Sequence, residues 1–172
     1  MLKENSYNFW MQAKKTYQQF ITGLFLLFIF LIGYLREAMF LVINAVYEKK
    51  EFPYNSAYIT PPDFLYQWSD TTLLYLKWGL TLFFSLIFTG LTLWLIHYYF
   101  KIKKYNQFTI LIYGTLILFA AIISIIGIII NSFDNVYTLS RFVIGLVQSP
   151  LVSLVLFTLF YFISSQHKTK HA

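Results

Sequence analysis

The stretch FTILIYGTLILFAAIISIIGIII, Phe108 to Ile130, decides the class of this protein because none of its residues is charged. A helix of that length extends about 35 Å, enough to cross the roughly 30 Å hydrocarbon core of a bilayer. The run is apolar throughout and does not alternate, so it predicts a helix and not a strand of a membrane barrel. The whole 172-residue chain agrees, because only 12% of it is charged, against about a quarter of a soluble domain.

Three further apolar runs have the length of a membrane span. Together the four runs predict an all-α integral membrane protein whose four transmembrane helices form a bundle, with 1–172 as a single domain. Pro150 lies inside the last run, where it removes a helix hydrogen bond and is expected to kink the helix. The predicted spans are 20–39, 76–99, 108–130 and 142–163, and the predicted outer loop is 47–72.

The distribution of lysine and arginine predicts the orientation of these spans. Three basic segments fall on the same side of a four-span topology: the N-terminal segment, the connection between the second and third spans, and the C-terminal tail. By the positive-inside rule that side is the cytoplasm, so both termini are expected there. This topology explains the net charge of +6, and we expect no nucleic-acid partner.

The residues that are missing limit the chemistry. The chain has no cysteine, which excludes a cysteine nucleophile, a disulfide relay and a thiolate metal site. Only His97 among three histidines lies near the bilayer, so bis-histidine haem ligation is not expected. No serine stands in a GxSxG elbow. We therefore predict no catalytic residue, no metal ligand and no cofactor, and expect a protein that is not an enzyme.

Ionisable residues near the outer ends of the spans are the candidate binding residues, because charge within a membrane is costly and usually has a role. Arg36 and Glu37 are adjacent, so their side chains point about 100° apart and each is expected to need a different partner. Together with Lys77, Arg36 and Arg141 are predicted to form a basic, outward-facing pocket, and Gln148 is placed at its floor. Such a pocket suits a lipid phosphate, a carboxylate or the acidic loop of a partner.

A structural role is the alternative for these cations. Long basic side chains at helix ends commonly extend to the membrane interface, and here they would pair with Asp134, Asp70 or Glu37 for stability alone.

Small and hydroxyl-bearing side chains predict where the helices pack against one another. Such residues let helix backbones approach closely, which is a main source of attraction between apolar helices in lipid. They would pack the bundle itself or, alternatively, contact a partner protein. The candidate packing residues are Thr81, Ser85 and Thr89 on the second span and Ala120, Ser124 and Gly127 on the third.

Three segments resemble the small four-pass inner-membrane proteins associated with bacterial exosortase systems, which sort surface proteins in Gram-negative bacteria. They are LREAMF (Leu35 to Phe40), FKIKKYNQFTILIY (Phe100 to Tyr113) and YTLSRFVIGLVQSPL (Tyr137 to Leu151). The resemblance implies a protein of the bacterial inner membrane that acts as an accessory to a larger complex. The positions that carry it are Arg36, Glu37, Arg141, Phe142, Gln148 and Pro150.

Two functions follow as expectations. The first is a non-catalytic accessory protein of an envelope or protein-sorting complex, which contacts a membrane-protein partner through its helix faces and outer loop. The alternative is a binding protein or small transporter for an anionic lipid or lipid-linked substrate, with Arg36 and Arg141 as its ligand contacts.

Overall fold

The computed structural model describes residues 2–50, 59–130 and 133–169, which form helices joined by short connections, with no strand among them. This confirms the predicted all-helical class. The helices are α1 (Leu2–Tyr47), α2 (Asp63–Tyr66), α3 (Asp70–Phe100), α4 (Lys103–Ile129), α5 (Phe133–Val147) and α6 (Pro150–Thr169).

Three of these helices are long and apolar enough to cross a membrane. The qualifying stretches are Gln12–Tyr47, Asp70–Phe100 and Lys103–Gly127, and α5 and α6 provide a fourth if the bent pair counts as one span. Many large apolar side chains on their outer faces are exposed, for example Leu86 at 74% and Ile129 at 75%. Such faces suit contact with lipid, since water would disfavour so much apolar surface.

The first helix is much longer than the predicted span 20–39, and it continues to Tyr47. Polar residues continue the helix on the N-terminal side of the predicted span. On the C-terminal side the largely apolar residues 40–46 continue it past Arg36 and Glu37, and the first proline of the chain is Pro53. The helix ends where Lys49 adopts a left-handed conformation with φ of 55°. The N–H of Lys50 then donates to the Ala45 carbonyl, as in a common helix C-terminal motif.

The range predicted as the outer loop, 47–72, is helical in part, because α2 and the start of α3 lie within it. Ser69 begins α3 as its N-cap, and its hydroxyl accepts a hydrogen bond from the N–H of Thr72. We call the end of the bundle that contains residues 59–70 the loop end. The opposite end, where Lys101 and Ile102 connect α3 to α4, is called the turn end.

The predicted fourth span 142–163 is two helices, because the chain breaks at Gln148 and Ser149 and changes direction by 55°. Pro150 is the first residue of α6, a position that suits proline because an N–H there has no partner within the helix. The predicted kink is therefore a complete break. Gly33 of α1 packs against it so closely that an added Cβ would lie 2.8 Å from the Cγ of Pro150.

Helix α3 is the centre of the bundle. Its Phe84 and Phe88 pack with Ile29 and Phe40 of α1 in one buried cluster. Helix α4 packs closely with α5 toward the loop end, where Ala120, Ile123 and Val143 form a second cluster. Helix α5 also contacts α3, so it lies against both α3 and α4.

Candidate functional site

A cavity of about 210 Å³ lies between α1, α3, α4 and α5 toward the loop end. Arg36, Lys77, Arg141 and Gln148 all line it, although they come from three separate segments of the chain. Glu37, the remaining residue of the predicted binding set, does not line the cavity, and its side chain is 60% exposed. The folded chain thus places three cationic side chains around one space.

Arg36 is held in place on two sides. Its Nε and Nη2 atoms donate to the Oε1 atom of Gln148 at 3.2 and 3.0 Å, and its Nη1 atom donates to Glu37 Oε2 at 2.7 Å. The guanidinium also lies over the Phe40 ring, with Cζ 4.7 Å from the centroid. The expectation that the adjacent Arg36 and Glu37 do not pair is wrong, because both side chains are long enough to meet despite the angle between their Cβ directions. Arg36 also has the further partner that was expected for it, Gln148.

Gln148 forms the polar floor of the cavity and is almost completely buried, at 1% exposure. Its Oε1 atom accepts both bonds from Arg36, while its Nε2 atom donates to the Thr81 carbonyl at 2.6 Å and to Ser85 Oγ at 3.0 Å. One side chain at the α5–α6 break therefore connects α1 with α3. All of its hydrogen-bonding groups are used, as a buried amide requires.

Lys77 and Arg141 have no carboxylate within ion-pair distance among the described residues. Lys77 places its Nζ atom 5.0 Å from the centroid of the Tyr47 ring, and Arg141 is exposed. Asp70 was one of the carboxylates expected to pair with the arginines. It pairs instead with Lys49, with 3.7 Å between Asp70 Oδ2 and Lys49 Nζ. The side chain of Asp134 lies outside the described residues. Within the described structure, Glu37 pairs with Arg36, and Glu48, which pairs with Lys50, interacts electrostatically with Lys77 and Arg141 without an ion pair to either.

Part of the cavity lining is apolar. Leu74, Trp78 and Leu82 follow one another at intervals of one helical turn on α3, and Ile117 and Ala121 do the same on α4. All five of these side chains are exposed. The site therefore combines basic groups with an apolar border.

The hydroxyl row predicted for packing on α3 uses its hydroxyls within its own helix. Thr81, Ser85 and Thr89 each donate to the carbonyl one turn earlier, at 2.8, 2.7 and 2.7 Å. The contact of this row with another helix is made through Gln148, which binds the Thr81 carbonyl and the Ser85 hydroxyl.

The small residues predicted for packing on α4 face α5. Ser124 Oγ lies 2.6 Å from Ser140 Oγ, and both hydroxyls donate to the Ala120 carbonyl at 3.0 Å. Gly127 is buried one turn further along α4. This face packs within the chain itself.

A buried hydroxyl cluster near the turn end was missed by the sequence analysis. Thr92 Oγ1 lies 2.8 Å from Tyr113 Oη and 2.6 Å from Ser153 Oγ, so the cluster joins α3, α4 and α6. Thr92 extends the hydroxyl row one turn beyond Thr89, which is a signal that could have been found. No sequence pattern singles out Tyr113 or Ser153, because the packing of the helices brings them together.

The described residues contain no group of three histidine, cysteine, aspartate or glutamate side chains that could hold a metal ion. His97, whose ring Nδ1 lies 3.1 Å from Asn106 Nδ2, stands beside the α3–α4 turn. What the cavity offers is charge and hydrogen-bond donors, which suit the binding of an anion. No family model, curated protein or solved structure matches this chain.

Proposed function

We propose that this protein is a four-span membrane bundle with cytoplasmic termini that binds an anionic ligand, with a phosphate or carboxylate group, in the cavity between α1, α3, α4 and α5. The observation that carries the proposal is that Lys77 and Arg141 line one cavity without a carboxylate within ion-pair distance among the described residues. Unpaired charge in a largely apolar setting is costly, and an anion between these side chains lowers that cost.

Arg36 supplies the ordered part of this site. Three of its five N–H donors have partners in the described structure, two on Gln148 and one on Glu37. Two donors therefore remain for a ligand, and the planar guanidinium is already oriented by its neighbours. A phosphate or carboxylate accepts well from such a group because the hydrogen bonds are charge-assisted.

An accessory role in a larger complex remains a prediction from the sequence. The small-residue face of α4 contacts α5, so that Ala120 and Ser124 are occupied within the bundle. A protein partner would have to use other surfaces. Location in a bacterial inner membrane and an association with exosortase systems rest on the resemblance of three segments.

The proposal is tested by thermal unfolding of the detergent-purified full chain with inorganic phosphate, decyl phosphate or the neutral decyl maltoside. A ligand that binds only the folded state at one hundred times its Kd stabilises it by about 2.7 kcal/mol. We expect at least one of the two anions to raise the Tm by several degrees more than decyl maltoside does.

Arg141→Gln should abolish most of this increase. The matched control is Lys103→Gln, which removes the same charge from an exposed side chain at the turn end that does not line the cavity. Equal Tm increases in the wild type and both variants would contradict the proposal, since they would indicate general charge attraction.

A further inference from the structure

We infer that the ligand of this cavity is a membrane lipid, whose anionic head group enters sideways between α3 and α4 while its acyl chains stay in the bilayer. This inference rests on the proposed function and names the source of the anion. It follows from where the cavity opens, from its size and from the character of its border.

Exposed apolar side chains line the cavity from two helices. Leu74, Trp78 and Leu82 line it from α3, and Ile117 and Ala121 line it from α4. The exposed fractions of Trp78 and Leu82 are 52% and 66%, so we place the opening of the cavity here, on the surface that faces lipid. We call these five residues the lateral mouth.

The contacts of α3 and α4 differ between the two ends of the bundle. Near the turn end the two helices are held together by the short connection at Lys101 and by the bond between Thr92 and Tyr113. Toward the loop end both are attached to α5, because Ser140 of α5 donates to the Ala120 carbonyl of α4, and Gln148, directly after α5, donates to the Thr81 carbonyl of α3. The cavity lies between α3 and α4 beside these contacts.

The size of the cavity matches a head group better than a whole ligand. Its volume of about 210 Å³ is below the roughly 300–1,000 Å³ of pockets that enclose a drug-sized molecule. A lipid head group fits this space, and its chains would have to leave through the lateral mouth.

The chemistry of the border identifies the class of ligand. A hydrated free anion gains nothing from leucine, isoleucine and tryptophan side chains at the entrance. A lipid gains at both ends, because its chains contact the lateral mouth while its phosphate reaches Arg36, Lys77 and Arg141. The continuity of the basic interior with the apolar border therefore favours a lipid over free phosphate.

The test uses Trp78 as a reporter in the full chain. A variant that keeps Trp78 alone, with Trp10, Trp68 and Trp94 changed to Phe, is reconstituted in phosphatidylcholine vesicles that contain brominated phosphatidylglycerol or brominated phosphatidylcholine. Bromine quenches tryptophan only at close contact. We expect the anionic lipid to bind at Trp78 about fivefold more strongly than the zwitterionic lipid. A preference of this size is what one basic residue near a membrane surface contributes.

Two substitutions in this background separate the charge from the opening. Arg141→Gln should reduce the preference toward unity by removing charge, and Ala121→Phe should do so by filling the lateral mouth. The matched control is Gly114→Phe on the same helix, where an added Cβ meets open space and no cavity is lined. It should leave the preference unchanged.

The outcomes distinguish this inference from the proposed function. Equal quenching by both lipids, while inorganic phosphate or decyl phosphate still raises the Tm, would overturn the lipid assignment and leave an anion site. Equal quenching with no Tm increase from either anion would overturn both. A preference that survives Ala121→Phe would refute lateral entry through this mouth.

Discussion

Replacing Gln148 by Met removes four hydrogen bonds at the floor of the cavity while keeping a side chain of similar size. Two of these bonds come from Arg36, at 3.2 and 3.0 Å, and two are donated to Thr81 and Ser85 of α3. The substitution leaves two guanidinium donors without their acceptor, and hydrogen bonds to charged groups contribute about 1.5–3 kcal/mol in soluble proteins. Neutral bonds between membrane helices couple by about 0.6 kcal/mol on average and about 1.7 at most.

The charge on Arg36 places the expected coupling between Arg36 and Gln148 at about 1–2 kcal/mol, near the upper end of the membrane range. A double-mutant cycle with Arg36→Met, Gln148→Met and the combined variant measures it, with reversible unfolding in mixed micelles as the assay. The double variant should lose less free energy of unfolding than the sum of the single variants. A coupling below about 0.5 kcal/mol would refute the idea that this pair holds α1 to the break between α5 and α6.

Two further substitutions test the packing of the bundle. Gly33→Ala should lower the free energy of unfolding by about 1–3 kcal/mol, because the added Cβ would lie 2.8 Å from Pro150 Cγ. Gly23→Ala on the same helix meets open space and should leave the free energy of unfolding unchanged. Equal effects of the two substitutions on unfolding in mixed micelles would contradict this prediction. Thr92→Val should lower the free energy of unfolding by about 1 kcal/mol more than Thr89→Val does, because in the described structure Thr92 bonds to two other helices and Thr89 bonds within its own helix. An equal loss of free energy from both substitutions would count against the hydroxyl cluster.

The apolar runs were sufficient to predict the helices, because an uninterrupted stretch of about twenty apolar residues has few other stable conformations. They were insufficient to predict where the helices end. Helix α1 begins well before residue 20 because polar residues propagate a helix unless proline or a capping residue stops it, and it continues to Tyr47 through the largely apolar residues 40–46. For the last span, Pro150 indicated where the helix would be disturbed, but it did not indicate that α5 and α6 would be two separate helices with a change of direction of 55°. Gly33 packs against Pro150 at this break.

The candidate site was predictable in part from helical geometry. Arg141 and Gln148 are seven residues apart and were therefore expected on one face, and both line the cavity. That Arg36 and Lys77 also reach this cavity depends on the order of the helices around the bundle, which short loops do not determine. The Cβ directions of Arg36 and Glu37 do not predict their pairing, because two long side chains reach each other across the angle between them.

In the conformation described, the two ends of the bundle differ. The difference favours binding of a ligand in the cavity over its transport across the bundle. The cavity lies toward the loop end, and further along α3 the side chains of Phe88 and Thr92 are completely buried. Thr92 is joined there to Tyr113 and Ser153 on two other helices. A ligand that crossed the bundle would have to separate these three hydroxyls and the aromatic packing around them. Toward the loop end α3 and α4 both border the cavity, whereas toward the turn end the bond between Thr92 and Tyr113 joins them directly.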